Sequence, residues 1–334
     1  MSFAIMTDTS ANLPTGDAEK YNIGVIPLSY CVDAQEHTCL DTRAFDCQEY
    51  YEAMKAGTKI TTSQINPQKY ADYMTPVLEQ GQDILFVGMS SGISGSFASA
   101  GIAREQLLDD HPDRKICLVD SLGASLGEGL LVYMAIECRE QGMDLEETAQ
   151  LLNRERERVC QIFTVDDLMH LRRGGRLSNA SAIIGTLLNV KPLLKGNEHG
   201  QIVTCGKVRG RKGVIEHMAK RYEQLVCDPQ EQTVYISHAN CEEDAKKLEE
   251  LICREHKPKK ILTVAHEPVT GSYLGPGALA MYFLGHPGDR EKYPPISSLL
   301  FGRRSYHAPP QGGAFFTLLR QRFKGAPVYS IESC

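Results

Sequence analysis

The stretch Ser90-Ser91-Gly92-Ile93-Ser94-Gly95-Ser96 has the residue types that bind an anion. An apolar run at 84–89 precedes it, and a segment typical of a helix follows at 97–108. A buried strand, a Gly/Ser turn and a helix start, in that order, aim backbone N–H groups and hydroxyls at one point. Ser-Gly runs also make ordinary caps and turns, so this stretch alone leaves both interpretations open.

A second hydroxyl-rich segment, Thr61-Thr62-Ser63-Gln64, lies earlier in the chain. An anion that enters a dry site must meet several donors, because its desolvation is otherwise prohibitive. Thr62 and Ser94 are the best candidates for direct hydroxyl donors, and Ser63 and Ser91 come next. Neither segment contains lysine or arginine, which suits a ligand that is later released or modified.

Length and composition limit the class of protein. The 334 residues are enough for two domains, and 42% hydrophobic with 23% charged residues is typical of a soluble globular chain. A net charge of −6 argues against a nucleic-acid partner. The eleven cysteines lack metal-binding spacing and fit a reducing compartment. No signal peptide and no apolar window of about 18 residues is present, so we expect a cytoplasmic protein.

The elements that must position the hydroxyls alternate in the first half. Apolar runs predict strands, and amphipathic or capped segments between them predict helices. This order predicts a parallel, doubly wound sheet whose carboxyl edge carries the polar loops. The predicted strands are 3–6, 23–32, 84–89 and 116–119, and the predicted helices are 45–56, 68–78, 97–108 and 123–140.

The second half predicts another α/β unit, with a mixed or antiparallel sheet. Residues 190–195 and 201–208 flank a five-residue loop and predict a hairpin. The other predicted strands are 161–165, 234–237 and 261–265, and the predicted helices are 144–159, 180–188, 211–225 and 242–256. After a Gly-Pro-Gly turn at 275–277, residues 278–284 form an apolar segment. We therefore expect an N-terminal α/β domain at 1–160, a C-terminal α/β domain at 161–285, and an extension at 286–334 of unknown role, such as a flap or an arm.

With these segments in order, the chain resembles the DegV family of bacterial fatty-acid-binding proteins over about residues 1–285. Each marker is weak alone, but eight in the family's order make a strong resemblance. The markers are Thr7-Asp8-Thr9-Ser10, Thr61-Thr62-Ser63-Gln64, the 90–96 stretch, Val119-Asp120-Ser121, Arg173-Gly174-Gly175-Arg176-Leu177-Ser178, Asn189-Val190-Lys191-Pro192, Val208-Arg209-Gly210-Arg211 and Gly275-Pro276-Gly277-Ala278-Leu279.

The resemblance implies that two α/β domains hold one long-chain fatty acid in a tunnel between them, with its carboxylate in the hydroxyl cluster. It also implies that a separate fatty-acid kinase converts the presented acid to an acyl phosphate. The protein would then be a carrier with no catalytic residues, no metal and no cofactor beyond its ligand. Transient contact with a membrane surface is compatible with this role.

One position departs from the family pattern. The family usually has a histidine two residues before the Gly-Pro-Gly turn, where it contacts the carboxylate, and here Tyr273 stands in that place. Tyrosine donates one hydrogen bond but is neutral at pH 7. Charge assistance from a protonated histidine is therefore lost, which affects head-group affinity or ligand choice.

The resemblance also places kinase-docking arginines at Arg176 and Arg209, for which helix capping or surface ion pairing is the alternative. Apolar residues between the domains would line the tunnel, and an ordinary core role is equally open for them. The candidates for this lining are Ile183, Ile184, Leu187 and Leu188.

Two other functions remain open from the residues. Ser/Thr turns at strand ends would bind a phosphate as well as a carboxylate, so a small-molecule phosphate-handling enzyme is one alternative. The lack of a Walker A segment, a G-x-G-x-x-G motif and a paired metal-binding motif argues against it. A lipid-sensing regulatory protein is the other alternative, and it differs from the carrier only in its partner.

Overall fold

The computed structural model describes residues 3–178 and 189–290. The predicted helix at 180–188, its four lining candidates and most of the extension lie outside these residues. Within the described part, the strands are β1 (Ala4–Asp8), β2 (Ile23–Ile26), β3 (Ser29–Val32), β4 (Gln35–Thr38), β5 (Ile60–Ser63), β6 (Ile84–Gly88), β7 (Ile116–Asp120), β8 (Val159–Thr164), β9 (Val190–Gly196), β10 (Ile202–Arg209), β11 (Thr233–His238), β12 (Lys260–Ala265) and β13 (Leu279–Leu284).

The described strands form three sheets. The first is parallel throughout, in the order β2-β1-β6-β7. The second has the order β10-β9-β8-β13-β11-β12 and is antiparallel except for the β11–β12 pair. A small antiparallel sheet, β4-β3-β5, carries the hydroxyl-rich segment at 61–64. The parallel and mixed sheets confirm the predicted α/β class, and the mixed sheet begins at Val159.

The helices of the described part lie between these strands or on their faces. They are α1 (Thr15–Lys20), α2 (Cys47–Lys55), α3 (Pro67–Glu79), α4 (Ser96–Asp110), α5 (Leu126–Glu140), α6 (Leu145–Glu155), α7 (Met169–Arg173), α8 (Arg211–Leu225), α9 (Glu242–Glu255) and α10 (Pro268–Leu274). None of them is long and apolar enough to cross a membrane.

The strand predicted at 23–32 is wrong as one element, because the chain forms β2 and β3 in different sheets. Pro27 lies between them, and proline fixes φ and has no N–H to give to a ladder. Pairing with β1 therefore stops at Ile26, and the N–H of Leu28 instead donates to the Thr9 hydroxyl at 3.0 Å. This break directs β3, and with it β5, toward the ligand site.

Helix α5 joins the two halves of the molecule. Most of its residues are buried, which is typical of a helix that packs on all sides. It packs on β1 and β6 of the parallel sheet and on β8, β11 and β13 of the mixed sheet. One continuous apolar core accordingly contains Leu85 and Val87 together with Phe163 and Tyr282. The two halves therefore share a core.

Candidate functional site

A cavity of about 350 Å³ lies between the two halves. Its walls come from β5, the loop before α4, the start of α5, strands β8 and β13, the β9–β10 hairpin, α7 and α10. This volume falls in the range of small-molecule sites, which are mostly apolar with a few polar groups. Its apolar wall includes Leu28, Phe163, Leu171, Ile202, Val269 and Leu274.

Three polar side chains converge at one place on the cavity wall. The Thr62 Oγ1 and the Tyr273 hydroxyl are 2.6 Å apart. The Arg176 guanidinium lies over the Tyr273 ring, 4.7 Å from its centroid, a cation–π contact. Arg176 is fixed there because it donates to the carbonyls of Ile93 at 3.1 Å and Gly174 at 2.6 Å. Gly174 is needed at this point, since a Cβ would overlap the Tyr273 ring.

The structure brings only some of the sequence-predicted residues together. Ser63 and Ser94 line the cavity with the Thr62 cluster, and Ser94 Oγ bonds the Ser96 hydroxyl at 3.0 Å. Ser91 is exposed and donates to Asp120 at 2.6 Å, away from the cavity lining. Its N–H and hydroxyl fix the turn after β6 instead.

The two arginines predicted for docking occupy different environments. Arg176 lines the cavity and is half-buried, and it is the only charged residue among the described lining residues. Arg209 is exposed at the end of β10. Sequence spacing did not reveal that Arg176 reaches the hydroxyl cluster, because the contact joins segments far apart in the chain.

Helix α10 presents Tyr273 to the cavity and is fixed at its start. The Glu267 carboxylate caps it by accepting from the N–H groups of Val269 and Thr270, each at 2.6 Å. The Tyr50 hydroxyl donates to the Pro268 carbonyl at 2.8 Å, which ties α10 to α2. Glu267 is fully buried, and this burial raises its pKa to about 7.

The tip of the β9–β10 hairpin packs on the loop that carries Ser94. Ser90 donates to the Gly200 carbonyl at 3.0 Å. A Cβ at Gly92 would overlap the His199 carbonyl, so this close approach requires glycine. The loop is held from its other side by Asp8, whose carboxylate accepts from the Met89 N–H at 3.2 Å. The hydroxyl turn is thus fixed by contacts within the chain.

Sequence reasoning missed Ser125, although Gly123-Ala124-Ser125-Leu126-Gly127 is a G-x-S-x-G pattern. Ser125 lines the cavity at the turn from β7 into α5, with φ 54° and ψ −145°, a strained conformation for a residue with a side chain. Its Oγ lies 3.3 Å from His266 Nδ1. A strained serine before a helix with a histidine beside it is the arrangement of a hydrolase nucleophile.

The surroundings of His266 differ from those of a catalytic base. Its Nε2 faces the Ser237 hydroxyl at 3.2 Å, where a hydrolase places a carboxylate. Complete burial lowers the pKa of His266 to about 3, so its imidazole is neutral and a weak base. Ser237 also bonds the Tyr282 hydroxyl at 3.1 Å. The arrangement is a satisfied buried polar network that joins the two halves.

No group of three or more His, Cys, Asp or Glu side chains in residues 3–178 and 189–290 is placed to hold a metal ion. The fold is two α/β halves with a largely apolar cavity between them, and that cavity carries a polar cluster on its wall. The chain belongs to the DegV family, because a family model described as "Uncharacterised protein, DegV family" matches residues 2–285.

Individual relatives agree with this assignment. A DegV domain-containing protein of Clostridium perfringens is 36% identical over 283 residues, 85% of this chain and 97% of that protein. A solved DegV family protein of Thermus thermophilus, described by its fatty acid binding, is 28% identical with a TM-score of 0.77, over 85% of this chain and 100% of that one. DegV of Bacillus subtilis, described as a fatty acid binding protein, is 30% identical with a TM-score of 0.72, over 85% of this chain and 99% of that one.

Proposed function

We propose that this protein binds one long-chain fatty acid in the cavity between its halves and presents it to a separate fatty-acid kinase for acyl-phosphate formation. The observation that carries the proposal is an apolar cavity that ends in the Thr62–Tyr273–Arg176 cluster. The relatives described as fatty-acid-binding proteins have the same fold at 28–30% identity, which supports the same ligand class here.

The carboxylate is held by the polar cluster in this proposal. Thr62, Ser63, Ser94 and Tyr273 offer hydroxyls, and Arg176 adds a permanent positive charge. Charge-assisted bonds are the strongest that a carboxylate can accept, and they offset the cost of removing it from water. Ser91 is left out of this set because it is bonded to Asp120.

The acyl tail supplies most of the affinity. Burial of one methylene is worth roughly 0.8 kcal/mol, so about 14 of them offer on the order of 11 kcal/mol before the costs of binding. The head-group bonds then need only orient the acid with its carboxylate toward the Thr62 side. A partner that approaches from that side would reach the carboxylate for phosphorylation.

Arg209 is assigned to kinase docking rather than to the ligand. Its neighbour Arg211 is engaged within the chain, since it pairs with Asp244 at 2.8 Å, whereas Arg209 is exposed. An exposed guanidinium at a strand end is suited to a partner's carboxylate. The ten cysteines of the described part are free thiols, which supports a cytoplasmic location for this exchange.

Mass spectrometry of the purified protein tests the ligand directly. Denaturing extraction of protein produced in bacteria is expected to release about one long-chain fatty acid per chain. Delipidated protein should then bind added palmitate or oleate. An empty protein that binds neither acid would contradict the proposed function.

The Ser125 geometry favours a second candidate, an acyl hydrolase. A fluorophosphonate probe and a p-nitrophenyl acyl ester test it on delipidated protein. Because His266 is neutral and its Nε2 faces the Ser237 hydroxyl, we expect neither labelling nor turnover above the level of Ser125→Ala. Labelling of wild-type protein that Ser125→Ala abolishes would favour the hydrolase.

A further inference from the structure

The cavity has a second polar region that the carboxylate cluster does not use. Gln161 on β8, Tyr282 on β13 and Ser125 before α5 line the cavity together. None of them hydrogen-bonds the Thr62, Tyr273 or Arg176 side chains in the described part. An unsubstituted hydrocarbon tail would leave this region without a polar partner.

The Gln161 side chain is only half satisfied. Its Nε2 donates to the Leu122 carbonyl at 3.1 Å, and its Oε1 accepts no hydrogen bond from residues 3–178 or 189–290. The side chain is more than nine-tenths buried, with 8% of its residue surface exposed. Gln161 lines the cavity, so a partner for this oxygen has to come from a bound molecule.

Two glycines leave the space that this amide occupies in the cavity wall. A Cβ at Gly123 would lie 2.8 Å from Gln161 Oε1, and one at Gly127 would lie 2.9 Å from it, so any larger residue would displace the amide. Tyr282 packs beside it, 3.0 Å from the same Gly127 position. The unpaired acceptor is thus held in place by its surroundings.

We infer that the preferred ligand is a fatty acid with a hydroxyl group within its acyl chain, and that this hydroxyl donates to Gln161 Oε1. This inference rests on the proposed function. An acceptor selects a donor, so a hydroxyl satisfies it and a keto group or a double bond does not. The hydroxyl is neutral, and the lining around Gln161 suits a neutral group. Arg176 is the only charged residue among the described lining residues, and it lies at the other polar region, beside Tyr273.

Competition binding tests the inference on the full-length, delipidated protein. Stearate, a positional series of hydroxystearates and the matching oxostearates displace a fluorescent fatty acid. At the favoured position, the hydroxy acid is expected to bind about three- to tenfold more tightly than stearate, the effect of one hydrogen bond to a buried group. The oxo acid is expected to gain nothing over stearate.

Two matched variants test whether the Gln161 amide causes the preference for the hydroxy acid. Gln161→Leu should abolish the advantage of the hydroxy acid over stearate. Gln64→Leu removes a different lining amide, beside Gly95, and should leave the ratio of the two affinities unchanged.

The outcomes separate this inference from the proposed function. Equal binding of stearate and every hydroxystearate by wild type overturns the inference and leaves fatty-acid binding intact. A preference that survives Gln161→Leu also overturns it. Failure of stearate and all hydroxystearates to bind overturns the proposed function itself. The wild-type series decides the question even where Gln161→Leu does not fold.

Discussion

At the scale of single residues, the proposed carboxylate site combines Tyr273, in the place where the resemblance implies a histidine, with the guanidinium of Arg176. A histidine carries charge only when protonated, whereas a guanidinium is charged at all physiological pH values. Arg176 lies over the Tyr273 ring, so the site retains a positive charge next to a neutral donor. In the proposed site, Arg176, which follows α7, would therefore offset the loss of charge assistance expected from Tyr273 alone.

Tyr273→Phe tests the hydroxyl separately from the ring. The ring can still support Arg176, but the partner of Thr62 Oγ1 is lost. We expect fatty-acid affinity to fall about three- to tenfold, the effect of one hydrogen bond, in competition with a fluorescent acid. Tyr73→Phe, on an exposed tyrosine of α3, is the control and should not change affinity. An unchanged affinity in Tyr273→Phe would place the carboxylate elsewhere.

The two arginines should separate binding from delivery. Arg176→Gln removes the charge from the cavity and is expected to weaken fatty-acid binding about tenfold or more, since bonds to charged groups are the stronger ones. Arg209→Gln should leave binding unchanged and slow acyl-phosphate formation in an assay coupled to a fatty-acid kinase. Lys212→Gln, at an exposed cation near Arg209, is the control. Equal coupled rates for Arg209→Gln and Lys212→Gln would remove Arg209 from docking.

At the scale of elements, α10 depends on its buried cap. The pKa of Glu267 is raised from 4.5 to about 7, so the folded state binds a proton that the unfolded state releases above pH 4.5. Its contribution to stability is full below pH 4.5 and is lost as pH rises to 7, by about 3 kcal/mol at most. Asp8 and Glu128 have pKa values raised by burial and act in the same direction.

Comparison with Glu267→Gln isolates this contribution. The variant keeps an oxygen that can accept from an α10 N–H but cannot ionise. Urea unfolding from pH 4.5 to 8 should show a smaller loss of unfolding free energy in the variant than in wild type. Parallel curves for the two proteins over this range would show that Glu267 does not titrate there.

Local sequence signals predicted most helices and strands but not the tertiary contacts between them. Asn66 and Pro67 predict the start of α3, and the Asn66 side chain does cap it. Glu267-Pro268 carries a similar signal for α10, but a helix of seven residues is too short to show a recognisable hydrophobic periodicity. The site itself depends on contacts such as Arg176 with Ile93, which no local pattern encodes. Hydroxyl segments were therefore identifiable, whereas their charged partner was not.

At the scale of the whole molecule, the residues just after the family match help to hold the cavity wall. Arg290 is buried and donates to the carbonyls of Asn197 at 3.1 Å, Arg156 at 2.9 Å and Leu122. Leu122 has φ 52°, in the left-handed region that residues with side chains rarely adopt. The donors Arg290 and Gln161 both hold its carbonyl, so they stabilise this backbone at the cavity wall.

Two shortened chains test this anchor. A chain that ends at residue 290 keeps Arg290, and one that ends at 285, where the family match stops, lacks it. Loss of the buried guanidinium removes one of the donors to each of three carbonyls and frees the strained turn, so we expect the shorter chain to lose about 3 kcal/mol of unfolding free energy relative to the longer one. Arg290→Met in the full chain should give a similar loss of unfolding free energy in urea.

The same variant should also bind fatty acid more weakly, because Leu122 lines the cavity and its backbone is then held less firmly. Equal unfolding midpoints for the two shortened chains would show that Arg290 is dispensable and that the cavity wall is complete at residue 285.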